Sequence, residues 1–182
     1  MANDDKKQRK AQKLIKFIEI EEFKKILKVE KDKNFKLAYV LAFGSGLRIS
    51  EIIGYKKADI QPLFVEQIDL QKHQIKILGG KGKKDRITVT SPWLNESNIK
   101  LLPLHIYRGT LQYRFKALCK RLLGKNLSFH TLRHGFANYM ANDKGVPLPM
   151  IQGMLGHSRL DTTGVYTKAN PTKAIEKAWE SF

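Results

Sequence analysis

The sequence predicts an α+β domain, mainly α-helical, with one small three-stranded antiparallel sheet. Three observations carry that prediction. Apolar residues recur at helical spacing towards both ends of the chain, as Phe23, Ile26 and Leu27 do. Between residues 73 and 90 the period changes to two, on either side of a glycine-rich tip. Glycines also punctuate the helical tracts where helix ends belong.

Residues 1–16 hold Lys6, Lys7, Arg9, Lys10, Lys13 and Lys16 with no apolar face, and read as a basic flexible arm or linker stump. The folded domain is expected over 17–182. Helical patterning starts at Phe17, with Glu21 and Glu22 suited to a helix N-terminus. A second helix over 33–43 stops at Gly44-Ser45-Gly46. Ser50 is the expected N-cap of a short helix through Ile52 and Ile53. Residues 73–78 and 86–90 alternate as strands, joined by Gly79-Gly80-Lys81-Gly82-Lys83-Lys84-Asp85, and 65–69 supply a third strand. A loop with Pro92 and Pro103 leads to helices expected at 110–123, 131–142, 147–155, 162–169 and 171–179. Gly124, Gly145 and Gly156 fall at C-caps, and Pro147 in a first turn.

Composition narrows the partner class. The chain has 182 residues, 34 Lys+Arg against 17 Asp+Glu, and a net charge of +17. Such a surplus concentrates polyanions, of which nucleic acid is the commonest. An anionic membrane surface is the competing partner, but it needs a basic amphipathic helix, and the N-terminal bases lack the apolar face. A single cysteine, Cys119, excludes an internal disulfide framework and a cysteine-rich zinc site. No apolar run approaches a membrane span and the N-terminus is polar, so the expected location is cytoplasmic.

Four segments hold residues able to carry chemistry. In His130-Thr131-Leu132-Arg133-His134, a helix starting near Thr131 puts His130 and Arg133 one turn apart at an end with free N–H groups, which suits a phosphate. An isolated His-x-x-Arg is more often a plain surface turn with ordinary polar residues. His157 follows Gly156 out of a tight turn, and Tyr166 lies one turn into the next helix, where a lone tyrosine is usually packing. Arg48 sits just after a helix-ending glycine pair, with Glu51 placed to orient it. Lys81 crowns the hairpin tip, where most lysines are merely solvated.

In that order, Arg48, Lys81, His130, Arg133, His157 and Tyr166 make a far more specific pattern than any one of them. The segments GLRISEIIG (46–54), GGKGKKDRI (79–87), FHTLRHGFANYM (129–140) and MLGHSRLDTTGVYTK (154–168) resemble the tyrosine site-specific recombinases, or phage-type integrases, in their Xer-like branch. The resemblance runs over residues 17–182. It implies the tyrosine recombinase catalytic-domain fold and DNA strand cleavage through a 3′-phosphotyrosyl intermediate, followed by strand exchange and religation. On that resemblance Tyr166 is the nucleophile, and Arg48 and Arg133 clamp the phosphate oxygens. His130 assists proton transfer at the tyrosine, His157 donates to a phosphate oxygen, and Lys81 protonates the departing 5′-oxygen, with Lys83 as an alternative.

No cofactor or metal is implied, because arginines and a lysine supply the positive charge and the phosphotyrosyl link conserves the ester energy without ATP. The implied partners are a double-stranded DNA recombination site and a homotetramer assembled on it. Free in solution, the chain is expected to be a monomer. Lys83, Lys84, Arg86, Arg108 and Arg114 are the expected contacts to DNA phosphates. Members of the family usually carry a separate core-binding domain ahead of the catalytic one, and only the basic arm precedes Phe17 here. Gly164 within the tyrosine helix suggests a tyrosine segment that moves. Two other activities stay open for these residues: nicking and closing by the lone domain, as in type IB topoisomerases, and non-catalytic DNA binding.

Overall fold

In the computed structural model, which describes residues 16–79 and 85–156, the helix boundaries follow from where the chain can satisfy its end groups. Helix α1 (Ile20–Val29) starts three residues later than its pattern suggests, because Glu19 is extended and its N–H is taken by the Glu22 carboxylate at 3.2 Å. Asp32 caps α2 (Lys33–Gly44) by accepting from the N–H groups of Asn34 and Phe35. The short α3 (Ile49–Ile53) is capped at Arg48 and not at Ser50. The reason is Glu51, whose carboxylate returns to the Arg48 N–H at 2.7 Å and satisfies the first turn.

Three strands follow: β1 (Ile68–Asp69), β2 (Gln74–Ile77) and β3 (Arg86–Val89), antiparallel in that order. Residues 65–67 form a 3₁₀ turn, which shortens the third strand expected there. Helix α4 (Glu96–Ile99) occupies part of the expected loop, with Asn95 and Asn98 capping each other reciprocally at 3.0 Å. Helix α5 (Arg108–Leu123) begins two residues earlier than expected, at the Tyr107 carbonyl, and ends on left-handed Gly124. Helix α6 (His130–Asn138) runs on as a π-turn over Tyr139–Asp143, so the expected helix to 142 changes winding midway. Helix α7 (Leu148–Leu155) has Pro147 at its N-cap and left-handed Gly156 at its C-cap. The helices expected at 162–169 and 171–179, the tip 80–84 and the arm 1–15 lie outside the described residues.

The core is aromatic along the second half of α2. Phe43 stacks on Phe23 at 4.1 Å and Trp93 meets Phe23 edge-on at 5.2 Å. One turn before Phe43 on α2, Tyr39 forms a T-shaped chain with Phe115 and Phe129, with 5.4 and 5.8 Å between centroids. Phe136, Ala137, Ile151 and Leu155 make a second apolar cluster between α6 and α7, with Val89 of β3 against it. This second cluster fixes the end of α7 beside the α2–α3 turn. Among the described residues no helix is long and apolar enough to cross a membrane.

Glu30, buried at the end of α1, accepts both Arg114 Nη2 at 2.6 Å and Arg114 Nε at 2.9 Å. Burial alone would raise the Glu30 pKa, and the Arg114 hydrogen bond together with backbone donors turns it downward. The Arg114 guanidinium also lies 4.4 Å over the Phe35 ring. Arg114→Ala strands a buried carboxylate, softened by water entering where Arg114 was 42% exposed. The expected loss is about 2 kcal/mol in urea unfolding, with Glu30→Gln/Arg114→Ala recovering part of it.

Candidate active site

Every α-helix leaves its last carbonyls without partners, and its C-terminus favours cations. At the end of α7 three arginines from three other elements take three successive carbonyls. Arg86 Nε of β3 donates to Met154 O at 2.8 Å, Arg133 Nη2 of α6 to Leu155 O at 2.5 Å, and Arg48 Nη2 to Gly156 O at 3.2 Å. Gly156 is the residue immediately before His157 in the sequence.

The α2–α3 turn brings Arg48 to this point. Gly46 has φ +69°, and a Cβ there would stand 2.7 Å from Phe136 Cδ1 and 2.8 Å from Leu155 Cδ2. Only glycine lets the turn sit this close to α6 and α7. The same approach delivers the Gly46 carbonyl to Arg133 Nη1 at 2.5 Å. Thr88 Oγ1 donates to Ser45 O at 2.8 Å and ties the sheet to the turn. Arg48 itself is held by Glu51, whose Oε1 accepts its Nη1 at 2.8 Å. The Arg133 side chain is buried, whereas that of Arg48 is 20% exposed and offers guanidinium surface to a ligand.

His130 opens α6 one turn before Arg133, exposed, with its ring edge-on to His134 at 4.5 Å. Partial desolvation, then the charges of Arg133 and Arg48, keep its pKa below the ordinary histidine value. A neutral imidazole beside two guanidiniums is able to accept a proton and is disfavoured from holding one. Glu51 is the buried anion of the cluster. Burial pushes its pKa up, but hydrogen bonds and charge from Arg86, followed by those of Arg48, hold it down at about 2.

Of the six expected site residues, the structure brings Arg48, His130 and Arg133 together. Lys81, His157 and Tyr166 lie outside the described residues, as do Lys83 and Lys84. The hairpin that carries Lys81 is closed at its neck by Asp85, which accepts the Gly79 N–H at 2.8 Å. Among the described residues no three His, Cys, Asp or Glu side chains stand where they would hold a metal ion.

One expected DNA contact is corrected. Arg86 is only 7% exposed and spends its guanidinium on Glu51 and Met154 O, so it is an internal tether rather than a surface cation. Arg114 pairs with Glu30 and covers Phe35 while its side chain stays 42% exposed, which leaves a phosphate contact open to it. Arg108, at the start of α5, stays exposed, its guanidinium 5.3 Å from the Tyr55 ring centre. Sequence reasoning missed the tether. The signal available was the strand register, since Arg86 is paired with the buried Ile77.

This architecture is that of tyrosine recombinase catalytic domains. A crystal structure of XerA recombinase superposes with a TM-score of 0.71 at 22% identity, over 96% of this chain and 66% of that one. A XerH site-specific recombinase bound to a palindromic difH substrate matches with a TM-score of 0.69 at 23% identity, over 92% of this chain and 54% of that one. The chain belongs to the phage integrase family, whose model matches residues 12–173. Among curated relatives, the tyrosine recombinase XerA of Pyrococcus horikoshii is 32% identical over 184 residues, covering 87% of this chain. The chain spans 59% of that relative's length.

Proposed function

We propose that this chain is the catalytic domain of a site-specific DNA recombinase that breaks and rejoins one strand at a time through a 3′-phosphotyrosyl intermediate. The observation that supports it most is the meeting of Arg48 and Arg133 at the end of α7, one residue ahead of His157, with His130 at the same place. Two permanently charged planar donors, one at the α2–α3 turn and one on α6, suit the non-bridging oxygens of a phosphodiester as it becomes pentacoordinate.

In this reading Tyr166 Oη attacks the phosphorus, and its proton passes to the neutral His130 side. A phenol with a reference pKa near 10 needs such a base. The P–O5′ bond breaks and the 5′-oxygen leaves with a proton from Lys81, while His157 donates to a phosphate oxygen. One ester is exchanged for another, so an incoming 5′-hydroxyl reverses the step without ATP. The scaffold then acts by holding charge in place.

The partner in this proposal is a double-stranded recombination site, engaged by a homotetramer. Arg108, Lys83 and Lys84 serve the DNA phosphates and contribute affinity that falls with salt. The test is covalent capture: a nicked duplex that loses a short 5′-hydroxyl fragment on cleavage, incubated with the protein in EDTA. A protein–DNA adduct that survives denaturation, with its DNA mapped by peptide mass to Tyr166, supports the reading. An adduct mapped to any other residue contradicts it.

A further inference from the structure

Arg86 has no step in that chemistry, yet all three of its guanidinium nitrogens are committed. Its Nη1 and Nη2 donate to Glu51 Oε1 at 2.7 Å and Oε2 at 2.8 Å, and its Nε holds Met154 O. Glu51 is 1% exposed at its side chain, and each of its oxygens also accepts a donor from Arg48, one from the side chain and one from the backbone. The Arg86 stem crosses Gly156 so closely that a Cβ there would stand 2.8 Å from Arg86 Cδ. Arg86 thus joins the hairpin, the Arg48 helix and the end of α7 at one point.

The charges decide what this does. Arg48, Arg86 and Arg133 against the one carboxylate leave a net +2 at the Arg48 turn, of which Arg86 supplies one unit. Without Arg86 the carboxylate would cancel Arg48 and leave only Arg133 to draw an anion. We propose that Arg86 is a positioning residue that neutralises Glu51, so that the Arg48 guanidinium keeps its charge for a phosphate while its geometry stays fixed by the same carboxylate. The inference rests on reading Arg48 as a phosphate-binding group. It gives the carboxylate two separable duties, orienting one arginine and being cancelled by the other.

The experiment titrates the full chain with inorganic phosphate and follows the Arg48 side-chain Nε–H resonance by NMR. Arg86→Gln should weaken phosphate binding about tenfold, as expected for removing one unit charge from a poorly solvated site. Arg86→Lys, which keeps the charge, should stay within about threefold of wild type, and Glu51→Gln/Arg86→Gln, which removes both buried charges along with the carboxylate that orients Arg48, should recover part of the loss. Recovery in the double variant is the readout that a merely structural role would not produce. If Arg86→Gln fails to fold, Glu51→Gln replaces it: with neither guanidinium cancelled it should bind phosphate more tightly than wild type, and equal or weaker binding overturns the proposal.

Wild-type affinity in Arg86→Gln overturns the proposal. So does equal weakening in Arg86→Lys and the double variant, or a wild-type Arg48 resonance that ignores phosphate. Covalent capture run in parallel separates this inference from the recombinase reading. No adduct from wild type, with the phosphate pattern as expected, sinks the recombinase reading and leaves the role of Arg86 standing. A normal adduct from Arg86→Gln with unchanged phosphate binding does the reverse.

Discussion

Arg133→Lys is expected to lower the rate of covalent adduct formation by about a thousandfold while the protein stays folded. The arginine fork reaches the carbonyls of Gly46 and Leu155 from two different nitrogens, and both bonds hold the α2–α3 turn against the end of α7. A lysine carries the same charge on a single nitrogen and cannot bridge two carbonyls and a phosphate in a fixed plane. Its loss therefore falls on geometry rather than on net charge. Single-turnover capture on nicked DNA measures the rate, and a filter-binding titration checks that affinity changes far less. A rate within tenfold of wild type would remove Arg133 from the phosphate clamp.

Glu51→Gln is expected to destabilise the fold by about 3 kcal/mol at pH 7, because it leaves the buried Arg86 guanidinium without its counter-charge. The pH dependence gives the sharper signature. The folded-state pKa of Glu51, about 2, lies below its ordinary value of 4.5, so the native state binds fewer protons between those limits. Its contribution is complete above pH 4.5 and drains away as pH falls towards about 2. The gap between wild type and Glu51→Gln in urea unfolding should narrow through that window and close at its acid end. A gap constant from pH 7 to pH 2.5 would mean that the carboxylate charge contributes nothing.

Local signals told most about the helices. The pattern at Phe23, Ile26 and Leu27, the Gly44–Gly46 stop and the glycine caps at 124 and 156 each depend on neighbours within one turn, and the structure has them in those places. Strand direction was legible too, but strand facing was not. In Arg86-Ile87-Thr88-Val89 the apolar residues suggest the inward face, whereas Ile87 is 51% exposed and Thr88 is buried. The register against Ile75 and Ile77 decides this, and it places Arg86 over Glu51, where a cation is needed more than an isoleucine.

Long-range partners were the least visible. Nothing near Arg114 announces Glu30, which lies 84 residues earlier, and so the structural duty of this half-exposed charge was not legible in its helix. The site itself was partly legible. The motif order pointed to Arg48, His130 and Arg133, which the fold gathers at the end of α7. That three arginines cap three consecutive carbonyls there is a tertiary arrangement with no sequence signature.

The most direct measurement compares wild type with Tyr166→Phe on the same nicked duplex, in EDTA, read on a denaturing gel. Phenylalanine keeps the ring and removes only the attacking oxygen, so folding and DNA binding should be unchanged. The account predicts a covalent band for wild type and none for Tyr166→Phe. A band of equal intensity in both would mean that another group attacks the phosphate, and the proposed chemistry would have to be abandoned.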